Sequence, residues 1–168
     1  ANKTVKLWSI DRQALRTLQG HQDSVNIANF SPDGQIIASA SDDTTAKLWS
    51  LDGRELKTLR GHNGIVSNVN FSPDGKTIAT SSEDQTVKLW SRDGTELRTL
   101  RGHAGPVWSV SFSPDGKTLV TASGDSTSKL WSLDGNLIKT LDGHTVAVLD
   151  VSFSPDGQKI ATASSDRT

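Results

Sequence analysis

Apolar residues along this chain come in short runs that turn residues interrupt at roughly 8–12-residue spacing, and no run keeps a helical 3.6-residue period. In the stretch 61–101 the runs are Ile65–Phe71, Thr77–Ser81, Thr86–Trp90 and Glu96–Leu100. They are separated by Ser72-Pro73-Asp74-Gly75, Glu83-Asp84-Gln85 and Arg92-Asp93-Gly94. This pattern predicts four antiparallel strands joined by hairpins. Pro73 presets φ for the first central position of a turn, Gly75 accepts positive φ, and Asp93-Gly94 is a strong hairpin dipeptide.

The same pattern returns with a period of 41 residues. Gly-His stands at Gly20-His21, Gly61-His62, Gly102-His103 and Gly143-His144. Phe-Ser-Pro-Asp-Gly begins at Phe30, Phe71, Phe112 and Phe153, and Lys-Leu-Trp-Ser ends at Ser9, Ser50, Ser91 and Ser132. A fixed period of this size marks a repeat architecture, because one unit cannot bury its own apolar faces and must lean on its neighbours. Four strands per period make one blade of a propeller.

The Gly-His pairs, the run Thr80, Asp84, Thr86, Lys88, Leu89, Trp90 and the period resemble the WD40-repeat β-propellers over the whole chain. The Asp that follows Trp in the family motif is uniformly replaced, by Ser9, Ser50, Ser91 and Ser132. The resemblance implies an all-β, WD40-type β-propeller with four blade-equivalents of four antiparallel strands each. It also implies one domain, 1–168, whose strands run a to d from the centre of each blade outward. The chain starts out of phase with that order. Residues 1–19 hold strands c and d (Thr4–Trp8, Ala14–Leu18), and 20–60, 61–101 and 102–142 are full blades with inner strands near Val25–Phe30, Val66–Phe71 and Val107–Phe112. Residues 143–168 hold strands a and b (Val148–Phe153, Lys159–Ser164). One blade is therefore split, and Ala1-Asn2-Lys3-Thr4 occupies the same repeat positions as Ser165-Asp166-Arg167-Thr168.

Unpaired strand edges are an aggregation hazard, so the two half-blades are expected to find complements. Since propellers of this family commonly have seven or eight blades, four would sweep about half a circle and leave the ends apart. The expectation is a head-to-tail homodimer closing an eight-bladed ring. A closed four-bladed monomer and a piece of a longer array are the competing arrangements.

Composition narrows the function classes. Hydrophobic residues make up 33% and charged residues 22%, and the net charge is −1, so nothing in the global charge favours nucleic acid or an anionic membrane. No apolar run approaches a membrane span. The absence of cysteine removes disulfides and thiolate metal sites, and a cytoplasmic location is expected.

Each unit repeats His, Ser or Thr, Asp and Trp, which the resemblance implies are buried structural tetrads: His21, Ser39, Asp43, Trp49; His62, Thr80, Asp84, Trp90; His103, Thr121, Asp125, Trp131; and His144, Thr162, Asp166 with Trp8 across the split. A Ser/His/Asp set invites a hydrolase reading. Even repetition beside a bulky Trp argues against it, because a nucleophile needs one asymmetric site with an oxyanion hole. No catalytic residue, cofactor or metal is expected: one His per blade radiates rather than converges, and no phosphate-binding glycine loop opens a helix. Lys57, Arg60, Arg98 and Arg101 fall on or just after the outer strand and read as a solvated rim.

Copies two and three agree at 24 of 41 positions, and the positions at which they differ carry information. Three residues after each His stand Ser24, Ile65, Pro106 and Ala147; five after stand Asn26, Ser67, Trp108 and Leu149; just before each tetrad Asp stand Asp42, Glu83, Gly124 and Ser165. The resemblance implies that these positions ring the narrow top face, where partners dock. Trp108 with Ile65, Pro106 and Leu149 would form an apolar patch flanked by Asp42 and Glu83, which is what a protein-binding hot spot looks like; alternatively, Trp108 packs on a neighbouring blade or plugs the channel. The leading functional expectation is a non-enzymatic scaffold for a protein or peptide. A glycan-binding propeller would repeat its aromatic in every unit. A module of a repeat array, natural or engineered, without a partner of its own is the third reading.

Overall fold

The computed structural model describes residues 3–167, so Ala1, Asn2 and Thr168 of the two overlapping terminal tetrapeptides lie outside it. An N-terminal hairpin, β1 (Thr4–Trp8) and β2 (Ala14–Gln19), comes first. Blade 1 is β3 (Val25–Phe30), β4 (Ile36–Ser41), β5 (Ala46–Ser50) and β6 (Glu55–Leu59). Blade 2 is β7 (Val66–Phe71), β8 (Thr77–Ser82), β9 (Val87–Ser91) and β10 (Glu96–Leu100). Blade 3 is β11 (Val107–Phe112), β12 (Thr118–Ser123), β13 (Ser128–Ser132) and β14 (Leu137–Leu141). A last hairpin, β15 (Val148–Phe153) and β16 (Ile160–Ser164), closes the chain. Every sheet is an antiparallel meander in chain order. Strand ends fall within one residue of the sequence expectation, and the inner strands β3, β7, β11 and β15 pack on one another in series.

The core lies between blades, not within them. Ala38, Ala40, Leu48 and Leu59 of blade 1 meet Val66, Val69, Phe71, Ile78 and Trp90 of blade 2. One period on, Ala79, Val87, Leu89 and Leu100 meet Val107, Val110, Phe112, Leu119 and Trp131. Each unit thus gives one face to its predecessor and one to its successor, which is why a single unit of this sequence has no core of its own. The same contact ties the N-terminal hairpin to blade 1 through Leu18, Val5 and Leu7 against Ile37 and Trp49. Polar links add to it across the inner strands: Asn29 Nδ2 donates to the Val69 carbonyl at 2.8 Å, and Ser109 Oγ donates to Asp150 at 2.7 Å.

The turns explain the serines that replace the family's Asp. The hydroxyl oxygens of Ser9, Ser50, Ser91 and Ser132 each accept the backbone N–H four residues on, at 3.1–3.2 Å, closing the c–d hairpin from inside. Ser50 and Ser91 also donate to Asp52 and Asp93. An aspartate there would accept the same N–H but would face a second carboxylate, so serine suits a turn that already carries Asp-Gly.

A buried lysine crosses from strand c to strand d in each full blade. Lys47 Nζ donates to Glu55 and Thr58, both at 2.8 Å, and Lys88 Nζ to Glu96 at 2.8 Å and Thr99 at 2.9 Å. Lys129 reaches only Thr140, at 3.1 Å, because Leu137 stands where the other blades have Glu. Leu137 is exposed, so Leu137→Glu is expected to gain a carboxylate for Lys129 at little apolar cost. The glutamates of the existing pairs are over a third exposed, which discounts the gain to about 1 kcal/mol. A thermal melt should rise by roughly 2–4 °C; an unmoved melt would mean that water already satisfies the ammonium.

Candidate functional site

Two sets of repeated residues were candidates for chemistry, and the fold treats them differently. The first set sits inside each blade. In blade 1 the Trp49 Nε1–H donates to Ser39 Oγ at 2.8 Å, Ser39 Oγ lies 2.8 Å from His21 Nε2, and His21 Nδ1 lies 2.7 Å from Asp43 Oδ2. Asp43 also accepts the N–H of Gln22 and both the N–H and hydroxyl of Thr45. Blade 2 repeats this with Trp90, Thr80, His62 and Asp84, and blade 3 with Trp131, Thr121, His103 and Asp125. Each set ties the loop before strand a to strands b and c.

Protonation follows from these bonds. Burial alone would push the Asp43 carboxyl up, but donors from Thr45, Gln22 and His21 outweigh it and hold the group at about 2; Asp84 is held at about 2 by Thr86, Asn63 and His62 in the same way. Burial lowers His21, His62 and His103 below their ordinary value despite the neighbouring carboxylates. The pair is therefore a neutral imidazole against an ionised carboxylate, with the proton on Nδ1 and the hydroxyl donating to Nε2. That hydroxyl is fully buried in Ser39, Thr80 and Thr121, with Trp donating to its oxygen, so no substrate carbonyl in solution reaches it. The geometry is that of a satisfied polar network. In the last hairpin His144 meets Asp166 and Thr162, both at 2.8 Å, but Trp8 lies in β1 of the other hairpin and does not join them.

The second set gathers at one end of the blades. The residue before each tetrad Asp donates its N–H to the carbonyl of the residue three after His: Asp42 to Ser24, Glu83 to Ile65, Gly124 to Pro106 and Ser165 to Ala147, at 2.8–3.2 Å. These bonds set the variable side chains next to one another. Asn26, Asp42, Ile65, Ser67, Glu83 and Trp108 line one cavity of about 310 Å³ that spans all three full blades. Asn26 Nδ2 braces it by donating to Asp42 at 2.8 Å and to the Val66 carbonyl at 3.0 Å. Gly124 stands behind Trp108: a Cβ on it would crowd Pro106 Cδ at 3.2 Å and would meet the indole Nε1 at 3.4 Å, an ordinary contact. Leu149 is exposed but, like Ser24, Pro106, Gly124, Ala147 and Ser165, is not part of the lining. Among the described residues, no cation pairs with Asp42 or Glu83, and the buried Ser67 hydroxyl and Trp108 Nε1 have no hydrogen-bond partner. Sequence reading alone did not separate the residues that line this cavity from those that only support it. Lys57, Arg60, Arg98 and Arg101 are exposed and lie outside the cavity.

Comparison with known proteins gives the same repeat. The family model described as WD40: WD domain, G-beta repeat, matches residues 12–50, 53–91, 94–132 and 135–168. Residues of the chain are also 48% identical, over 44 positions, to a guanine nucleotide-binding protein subunit beta of Zea mays. That match covers 25% of this chain and 12% of that protein, so it speaks for the repeat rather than for the whole relative.

Proposed function

This chain belongs to the WD40 repeat family, and on that premise we propose that it is a non-enzymatic scaffold that binds a protein or peptide at the cavity around Trp108. The observation that carries this reading is the composition of the cavity: all six lining residues come from positions at which the repeats differ, while the Gly-His pair, the Phe-Ser-Pro-Asp-Gly turn and the Lys-Leu-Trp-Ser run recur in every copy. An aromatic and an aliphatic side chain beside two carboxylates and two small polar groups make an anchor with a polar surround, the arrangement of an interface hot spot. The relative with which it shares a repeat is described as a subunit, which fits a protein that acts by assembling. A catalytic reading has no comparable support, since the only Ser/His/Asp sets of the full blades are buried under tryptophan.

The reading extends to closure of the ring. Among the described residues the edges of β1 and β16 carry no partner strand, and two chains head to tail would pair them and complete eight blades. The binding part is tested by selecting peptides from a random display library on the parent protein and measuring them against Trp108→Ala. Loss of a hot-spot side chain should weaken the selected peptides by at least about 30-fold while unfolding is unchanged. Peptides that bind both proteins equally would refute the cavity, as would a Trp108→Ala protein that is itself badly destabilised.

A further inference from the structure

Burial leaves two carboxylates of this chain unanswered, and both open on the same cavity. The half-buried carboxylates among the described residues are Asp43, Asp84, Asp125 and Asp166, together with Asp42 and Glu83. The first four are the tetrad aspartates, each bonded to its histidine at 2.7–2.8 Å. Exposed carboxylates are answered as well: Glu55 and Glu96 meet the strand-c lysines, Asp52 meets Arg54, and Asp33 of blade 1 pairs with Arg92 of blade 2 at 2.7 Å. Asp42 and Glu83 follow neither pattern. Asp42 accepts one hydrogen bond, from Asn26 Nδ2 on its Oδ1, and the Glu83 carboxylate accepts none among the described residues.

A carboxylate partly withdrawn from water loses hydration, and only a cation or a set of donors offsets that loss. Neither residue rides on a loose loop, since the N–H groups of Asp42 and Glu83 are fixed to the Ser24 and Ile65 carbonyls at 2.9 Å. The other walls of the cavity are Asn26, Ile65, Ser67 and Trp108. Trp108 has its Nε1 buried, so the accessible part of the indole is carbon. The site therefore has an acidic half and an apolar half. A hard metal ion suits it poorly, because such ions collect six or more oxygens, and among the described residues no group of three His, Cys, Asp or Glu gathers. A lysine or arginine side chain fits both halves: its stem is apolar, its head is cationic, and an aromatic face attracts that charge.

We propose that Asp42 and Glu83 form a cationic subsite of the cavity around Trp108, and that the partner enters it with a lysine or arginine side chain. This deepens the peptide-binding reading above and rests on it. The stem lies along Ile65 and the indole, and the head lies at the two carboxylates, which come from successive blades. Ser67, whose buried Oγ has no hydrogen-bond partner, adds a further acceptor on the same wall. A neutral side chain leaves both carboxylates unanswered, and an acidic one meets two like charges. The subsite thus selects its partner by sign as well as by shape. In the other two units the residues equivalent to Asp42 and Glu83 are Gly124 and Ser165, so this selectivity belongs to one pair of neighbouring blades and not to the repeat in general.

The test uses the whole chain, the peptides selected on it from a random display library, and the variants Glu83→Gln and Asp42→Asn. Asp134→Asn, in the exposed turn between β13 and β14, serves as the control. Glutamine and asparagine keep the size of each side chain, and asparagine at 42 keeps the oxygen to which Asn26 donates, so thermal melts should match the parent. Peptides whose binding is lost with Trp108→Ala are expected to share a lysine or arginine. Changing that residue to glutamine, or Glu83 to glutamine, should each weaken binding by at least about 10-fold, and the two changes together by little more than either alone. Asp42→Asn should weaken it too, and Asp134→Asn should not. Trp108-dependent peptides that lack a basic residue, or that bind Glu83→Gln and Asp42→Asn as tightly as the parent, overturn the cationic subsite and leave the cavity standing. An equal loss with Asp134→Asn means diffuse attraction and overturns it as well. If no selected peptide depends on Trp108, the cavity and its subsite fall together. Should Asp42→Asn melt low, the cycle on Glu83 decides alone, because that carboxylate bonds to no other described residue.

Discussion

Replacing Asp84 by alanine is expected to destabilise the protein by about 3 kcal/mol, seen as a melting temperature lower by roughly 6–12 °C. The side chain accepts four hydrogen bonds: from the N–H of Asn63, from both the N–H and hydroxyl of Thr86, and from His62 Nδ1. Without the carboxylate His62 Nδ1 keeps only the distant Thr86 hydroxyl, at 3.4 Å, and His62 lies in a site that water does not enter easily. A buried donor left unpaired costs about 1–3 kcal/mol, and the exposed Asn63 contributes least because solvent replaces its partner. Loss is also expected at Gln85, whose φ of +71° is a left-handed conformation unusual for a side-chain-bearing residue. The Asp84 carboxylate spans that turn by accepting the N–H and hydroxyl of Thr86, the residue after Gln85, and so holds the conformation in place. Thr86→Val, which removes only the hydroxyl donor, should cost markedly less. If Asp84→Ala melts with the parent, the network is an ornament of the blade and not what joins its inner loop to strands b and c.

What could be read in the amino-acid order, and what could not, follows from the range of each interaction. The strands were legible because their signals are local: Pro73 and Gly75 in one turn, Asp93-Gly94 in the next, and a strict 41-residue register that let four copies vote on each boundary. The association of His62, Thr80, Asp84 and Trp90 was legible through resemblance, and hydrogen-bond chemistry leaves few other partners for a buried imidazole. The Lys88–Glu96–Thr99 tie was not, because a lysine and a glutamate on adjacent strands read as two surface charges until the register buries the lysine. The cavity around Trp108 was harder still. It joins Asn26, Ser67 and Trp108 across three blades, and which of the variable residues line it and which stand behind it depends on side-chain direction, which composition does not encode. The serines after each tryptophan were visible but unexplained; their hydroxyls accept an N–H four residues on, a role that a departure from a motif does not announce.

Acidification from pH 7.5 to 5.5 is expected to weaken the fold steeply, long before the carboxylates titrate. His21, His62 and His103 have their values lowered below the ordinary 6.5, first by burial and in the face of raising contributions from Asp43, Asp84 and Asp125. In the unfolded chain each imidazole takes up a proton as pH falls through about 6.5; in the folded chain it does not until pH passes the lowered value. Between those points the unfolded state binds more protons, so stability is fully present above about 6.5 and falls as pH falls. The slope is at most about 1.4 kcal/mol per pH unit for each histidine, or roughly 4 for the three together. The aspartates add a second, lower window. Asp43 and Asp84 are held at about 2 against an ordinary 3.8, so their contribution is intact through the histidine window and is lost only as pH falls from about 4 toward 2. Urea unfolding at constant ionic strength and closely spaced pH should therefore show two successive declines. Stability that is flat from pH 7.5 to 5.5 would mean that the buried imidazoles accept protons in place, and the assignment of neutral histidine against ionised aspartate would fail.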